Sequence, residues 1–179
     1  MSRHSWERAQ HAVASFFKQH YFATQEEVRL PSGKRIDIVA RKKFQEYFLH
    51  ILVEVKDWEK VTRKQESQFC NQIIDYLIEY SLTTVLKSYK GNKWHRSENR
   101  IHDRFLGILC LTKNAHFSFR KVSDHFIRKN KEIQGIPIRE QIAQQLTIYV
   151  ARFDFLTSVF HELQIPFYKE PPLSDWFGK

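Results

Sequence analysis

Between Ser5 and His20 the apolar side chains recur at Trp6, Ala9, Val13, Phe16 and Phe17, at the three- and four-residue spacing that places them on one stripe of a helix. Ser5 is placed to cap its start. Gln25 to Leu30 then reads as a strand, Pro31-Ser32-Gly33 as a turn and Lys34 to Ala40 as the returning strand of a hairpin. Arg41-Lys42-Lys43 reads as a polar loop. Phe44 to Val55 is almost continuously apolar, the pattern of a strand covered on both faces at the centre of a sheet. From about Thr62 to Tyr80 a second helix buries Phe69, Ile73, Leu77 and Tyr80, and Gln68, Gln72 and Tyr76 form a polar row beside them.

The segment from Lys87 to Arg104 reads as a loop rich in charge and aromatics, and Phe105 to Thr112 as the next buried strand. His116 to Phe119 suggests a short edge strand, Ser123 to Lys131 and Arg139 to Gln145 helical segments, Thr147 to Ala151 a strand and Asp154 to Leu163 a helix. Pro166, Pro171 and Pro172 then begin an extended tail. The order predicts an α/β (α+β) domain: an αβββαβ core, a mixed central sheet flanked by helices, and helical C-terminal additions. With 179 residues, 42% of them hydrophobic, the chain is long enough to bury one core. A single domain over 1–179 is expected, its core about 1–115, with 116–179 completing or decorating it.

Three charges interrupt the apolar strands. Side chains alternate along a strand, so Glu54 and Lys56 project to one side while Val53 and Val55 enter the core. Asp37 is flanked by Ile36 and Ile38, which point away from it, and its carboxylate meets Glu54 if the two strands are neighbours. Two close carboxylates repel and raise each other's pKa; a divalent cation between them reverses the sign of that interaction. Mg²⁺ is commonly held by one or two carboxylates with water and phosphate oxygens, so a hard-ion site is the economical reading.

Asp37 within Arg35-Ile36-Asp37, followed by Glu54-Val55-Lys56, resembles the signature of the PD-(D/E)XK nuclease superfamily, with Ile where the name has Pro. Gln72-Ile73-Ile74-Asp75-Tyr76 is similar to the Gln-x-x-x-Tyr element of RecB-type members; Mrr-like and Holliday-junction-resolvase-like proteins share the class. Glu7 stands on the first helix, where this superfamily commonly places another acid near the metal. These elements cover roughly the first half of the chain, in the family order. The resemblance implies a restriction endonuclease-like fold and a metal-dependent deoxyribonuclease that takes one or two Mg²⁺ (or Mn²⁺) on Asp37, Glu54 and the main-chain carbonyl of Val55.

On that basis Lys56 has two candidate tasks: placing or deprotonating a water, or stabilising the transition-state oxyanion. Gln72 either orients that water, Lys56 or a phosphate oxygen, or belongs to a solvated helix face. Glu7 either reaches toward the metal or favours the helix N-terminus by its charge.

Charge agrees with a polyanionic partner. Lys and Arg number 29 against 20 Asp and Glu, a formal net charge of +9, which favours a nucleic acid; the resemblance implies DNA, with RNA as the alternative substrate. Candidate nucleic-acid contacts are Lys34, Arg35, Trp58, Lys60 and Tyr76 near the site, and Lys90, Lys93, Trp94 and Arg96 in the basic aromatic stretch, where Trp94 offers a stacking platform. A solvated loop is the plain alternative there. Arg120, Lys121, Arg128, Lys129 and Lys131 either extend the basic track or cover a wet helix face.

Other chemistries are disfavoured. His95, Asn99 and His102 lack the hairpin context of a separate metal-nuclease site, and the scattered glycines build no phosphate-cradling loop. Cys70 and Cys110 are too few for a disulfide framework or a four-cysteine zinc site, and Cys70 has no nucleophile signature around it. The longest apolar run, Phe105 to Leu111, is well short of the ~20 residues of a membrane span. Charges near the start argue against a signal peptide, so an intracellular, cytoplasmic protein without membrane partners is expected. A homodimer or a larger complex is compatible with the resemblance. The competing function is a catalytically silent nucleic-acid-binding or assembly module of a repair, restriction or transposition complex.

Overall fold

The structure, a computed structural model, describes residues 3–44, 47–90, 102–115, 146–153, 156, 157 and 160. Helix α1 (Arg3–Gln19) leads into strands β1 (Ala23–Arg29), β2 (Arg35–Lys43) and β3 (Tyr47–Lys56). Helix α2 (Arg63–Lys90), β4 (His102–Leu111) and β5 (Leu146–Arg152) follow. The αβββαβ order expected from the sequence is present, and β5 extends it to a five-stranded mixed sheet in the order β1-β2-β3-β4-β5. The first three strands form an antiparallel meander, whereas β3/β4 and β4/β5 are parallel.

Two apolar layers enclose the sheet. On one face Val13, Ala14 and Phe17 of α1 pack with Ile38, Ala40, Ile51, Val53 and Val55, joined by Leu156 and Phe160. Those last two fall within 154–163, where Leu156, Thr157 and Phe160 are helical. On the other face Cys70, Ile73, Ile74 and Leu77 of α2 cover Ile36, Val39, Leu52 and Leu109. Every residue from Leu49 to Val55 is buried, as the unbroken apolar run of a central strand requires. Among the described residues no helix is long and apolar enough to cross a membrane.

The β1–β2 turn falls at Pro31-Ser32-Gly33 as expected, with Gly33 at φ +84°, a conformation that suits a residue without Cβ. Thr62 and Gln65 cap α2 reciprocally: the Thr62 amide donates to Gln65 Oε1 (2.9 Å) and the Gln65 amide to Thr62 Oγ1 (3.3 Å).

Two expectations are corrected. Arg41-Lys42-Lys43 is not a loop but the end of β2, paired with His50, Leu49 and Phe48. Lys42 is buried there because its ammonium donates to the His20 carbonyl (2.9 Å) at the end of α1 and lies over the rings of Phe22 and Phe44. Helix α2 does not stop near Tyr80 but continues to Lys90, so the first part of the Lys87 to Arg104 loop is helix and its last residues open β4. Within that continuation the Thr83 hydroxyl donates to the Glu79 carbonyl (2.8 Å). The expected elements at His116–Phe119, Ser123–Lys131 and Arg139–Gln145 and the proline tail lie outside the described residues.

Candidate active site

The ladder between β2 and β3 ends at the pair Ile38↔Val53. The next residues on each strand are Asp37 and Glu54, so both carboxylates stand where the sheet opens. The Val55 amide, beyond the ladder, donates to Asp37 Oδ2 at 2.8 Å. Parallel pairing with β4 nevertheless continues through Glu54↔Leu109 to Lys56↔Leu111, so the end of β3 is rigid on one side and open on the other.

Both acids are buried, Asp37 at 7% and Glu54 at 3% exposure. Burial, and then the neighbouring charge of Glu54, push Asp37 up to about 7 despite the Val55 amide, Lys56 and Arg35. Burial likewise raises Glu54, against the lowering influence of Lys56, the Asp37 backbone N–H and Gln72. One oxygen of Glu54 is well served: Oε1 accepts from Lys56 Nζ at 2.7 Å and from Gln72 Nε2 at 3.0 Å. The other, Oε2, is buried without a hydrogen-bond partner. A buried carboxylate oxygen without a donor is costly, and a hard cation is the kind of group that satisfies it.

Helix α2 supplies the second wall. Gln72 and Tyr76, one turn apart, face the site, and Gln72 Nε2 also approaches the Tyr76 hydroxyl at 2.7 Å. Burial raises the Tyr76 phenol first, with the negative charges of Glu54 and Asp37 adding to the shift. Lys56 extends over the Phe69 ring, its ammonium 4.4 Å from the centroid, and Phe69 is braced edge-on by Trp58 (4.5 Å).

No family model, curated protein or solved structure matches the chain.

Of the residues singled out in the sequence, the structure brings together Asp37, Glu54, Val55, Lys56, Gln72 and Tyr76. Glu7 is exposed on α1, and among the described residues no third carboxylate, imidazole or thiol joins Asp37 and Glu54. Gln68 is exposed. Trp58 is half-buried against Phe69, Lys60 is exposed, and Lys34 and Arg35 lie on the surface beside Asp75 (3.8 Å) and Glu27 (3.1 Å). Lys90 ends α2; Lys93, Trp94, Arg96, His95 and Asn99 lie outside the described residues.

Two contributors were missed. Gln10 of α1, 4% exposed, donates to the Asp37 carbonyl at 3.3 Å. Its signal was available: Gln10 sits on the stripe of Trp6, Val13 and Phe17, a polar residue on the core-facing row. Asp57 is buried directly after Lys56 and accepts from Ser5 Oγ (2.6 Å) and Thr112 Oγ1 (2.8 Å), with Lys113 Nζ at 3.3 Å. Burial pushes its carboxyl up, but those hydrogen bonds and the Lys113 charge outweigh it and hold the group below the usual range. Asp57 thereby ties α1, β3 and the end of β4 together just behind Lys56. Its signal was the alternation that also buries Val53 and Val55.

Proposed function

We propose that this chain is a metal-dependent nuclease of the PD-(D/E)XK type that hydrolyses DNA phosphodiester bonds, with Asp37, Glu54 and Lys56 at its centre. The observation that carries the reading is the convergence of two buried carboxylates where β2 and β3 part, one with a buried oxygen outside any hydrogen bond, beside a lysine ammonium. A structural ion-pair cluster would close on itself; this one is left open toward an electropositive ligand. The donor set, two carboxylates with carbonyl and amide oxygens nearby, fits Mg²⁺ or Mn²⁺ better than a soft metal.

Asp37 and Glu54 would hold the ion, with the Val55 carbonyl as the family resemblance implies. When bound, the ion neutralises the paired carboxylates and supplies Lewis acidity toward water and phosphoryl oxygen. Gln72 holds Glu54 Oε1, so Oε2 would remain available to an ion. The Lys56 ammonium, fixed by Glu54 and the Phe69 face, brings positive charge to the place where negative charge grows on a phosphoryl group. Asp57 keeps the end of β3 from shifting, so the lysine is presented in one position. The formal charge of +9 favours approach of a polyanion.

Incubation with labelled linear, nicked, branched and single-stranded DNA and with RNA, in Mg²⁺ and in EDTA, tests the reading. Metal-dependent products from DNA are expected. Salt-sensitive binding without product in any metal would point instead to a binding module, and products from RNA alone would reassign the substrate.

A further inference from the structure

Lys56 ends β3, and its side chain is only 13% exposed, so the ammonium is enclosed rather than solvated. Nζ donates to Glu54 Oε1 at 2.7 Å. It also stands 4.4 Å from the ring centroid of Phe69 and 5.7 Å from that of Trp58. The two rings meet edge to face with centroids 4.5 Å apart, and together they bracket the ammonium. Each ring is fixed by a different part of the fold. Phe69 precedes Gln72, Ile73 and Tyr76 on α2 by three, four and seven residues, the spacing of one helix face. Trp58 follows β3, and its carbonyl accepts from the Ala115 amide (3.1 Å), while the Lys56 carbonyl accepts from the Thr112 amide (3.1 Å). The loop that carries Trp58 is thereby tied to the chain that follows β4.

A cation over the face of an aromatic ring is attracted by the ring's quadrupole, more strongly where water is excluded. We propose that Phe69, braced by Trp58, is a positioning residue for hydrolysis: its face holds the Lys56 ammonium where negative charge grows on the phosphoryl group; the inference rests on the nuclease reading above. A ring suits this place better than a third acid. Glu54 Oε1 already serves both Lys56 and Gln72, and a further carboxylate would offset the positive charge that the lysine brings and compete for a divalent cation. A π face orders the ammonium and leaves its formal charge uncompensated. The same contact gives Trp58 a task within the site that needs no stacking on a base.

In the full-length protein Phe69 is replaced by Leu and, through a suppressed stop codon, by mono-, di- and trifluorinated phenylalanines, which keep the ring's shape and weaken its quadrupole stepwise. Each protein is first checked for a native thermal transition. Two quantities are then read: kcat and KM for DNA cleavage in Mg²⁺, and the Lys56 side-chain resonances of the metal-free protein carrying labelled lysine. The wild type is expected to show Lys56 Cε protons moved upfield by the ring current, identified by their absence in Lys56→Ala, and Phe69→Leu is expected to lose that shift. kcat should fall about 10-fold in Phe69→Leu with KM held within about twofold, and should decline step by step across the fluorinated series. With an active wild type, a flat fluorinated series overturns the inference and leaves the nuclease reading standing, because the ring then acts by its shape alone. A change confined to KM, or Lys56 protons without the upfield shift, overturns it equally. A wild type that cuts neither DNA nor RNA removes the nuclease reading and this role together, whatever the lysine resonances show.

Discussion

Two buried polar clusters occupy opposite ends of the same face of β3, and they differ in one respect. At the start of the strand His50 is fully satisfied: Nε2 meets Asp103 Oδ1 at 2.8 Å, Nδ1 meets the Tyr80 hydroxyl at 3.1 Å, and the ring stacks on Phe105 with centroids 4.9 Å apart. At the other end Asp37 and Glu54 face each other with raised pKa values and an oxygen to spare. Both are polar clusters on a sheet beneath α2, and each is contacted by a side chain of that helix, Tyr80 or Gln72. A closed network is a structural element, whereas an open one stores a cost that only a ligand relieves. Satisfaction of hydrogen bonds, rather than burial or charge, separates the candidate site from the fold around it.

The difference is open to attack from both ends. Lys56→Ala should give the largest effect, a loss of Mg²⁺-dependent DNA cleavage of roughly 100- to 1000-fold with an unchanged melting transition. At the closed end His50→Ala should lower stability by about 2 to 4 kcal/mol in denaturant unfolding, yet leave cleavage per folded molecule intact. Equal damage to catalysis at both ends would erase the distinction.

Acid-base behaviour sharpens it further. The native chain holds a proton on Asp37 up to about pH 7, which the unfolded chain releases near its ordinary value of 3.8. The folded state therefore binds more protons between those values, and its stability falls as pH rises through that window. Thermal melts of the metal-free protein should decline accordingly, and Asp37→Asn should flatten the decline and raise the melting temperature above pH ~8. The smallest effect belongs to α2: Gln72→Ala should slow cleavage by about 10-fold, while the exposed Gln68 should tolerate Ala without measurable change.

How far this was legible from the chain depends on the range of the interactions involved. Asp37, Glu54 and Lys56 stand out because a charge inside an apolar strand breaks a period-two pattern, and Gln72 and Tyr76 because a helix turns every four residues. The fold order followed from the same periodicities. Lys42 was misplaced in a loop because three consecutive basic residues look solvated; only the His20 carbonyl and the surrounding rings, distant in sequence, explain its burial. The extra length of α2 was missed because its apolar row fades beyond Tyr80. Gln10 escaped notice because an uncharged amide on an apolar stripe gives no electrostatic signal until its partner, a carbonyl 27 residues away, is known. Glu7 drew attention by its charge and is exposed.

The most direct measurement is cleavage of supercoiled plasmid DNA by purified wild-type protein, Glu54→Ala and Lys56→Ala, each with Mg²⁺, with Mn²⁺ and with EDTA. Nicked or linear products are expected from the wild type with either metal, and none from the two variants or in EDTA. Cleavage that persists in both variants, or a wild type inert toward DNA in both metals, would contradict the assignment of this site as a nuclease centre.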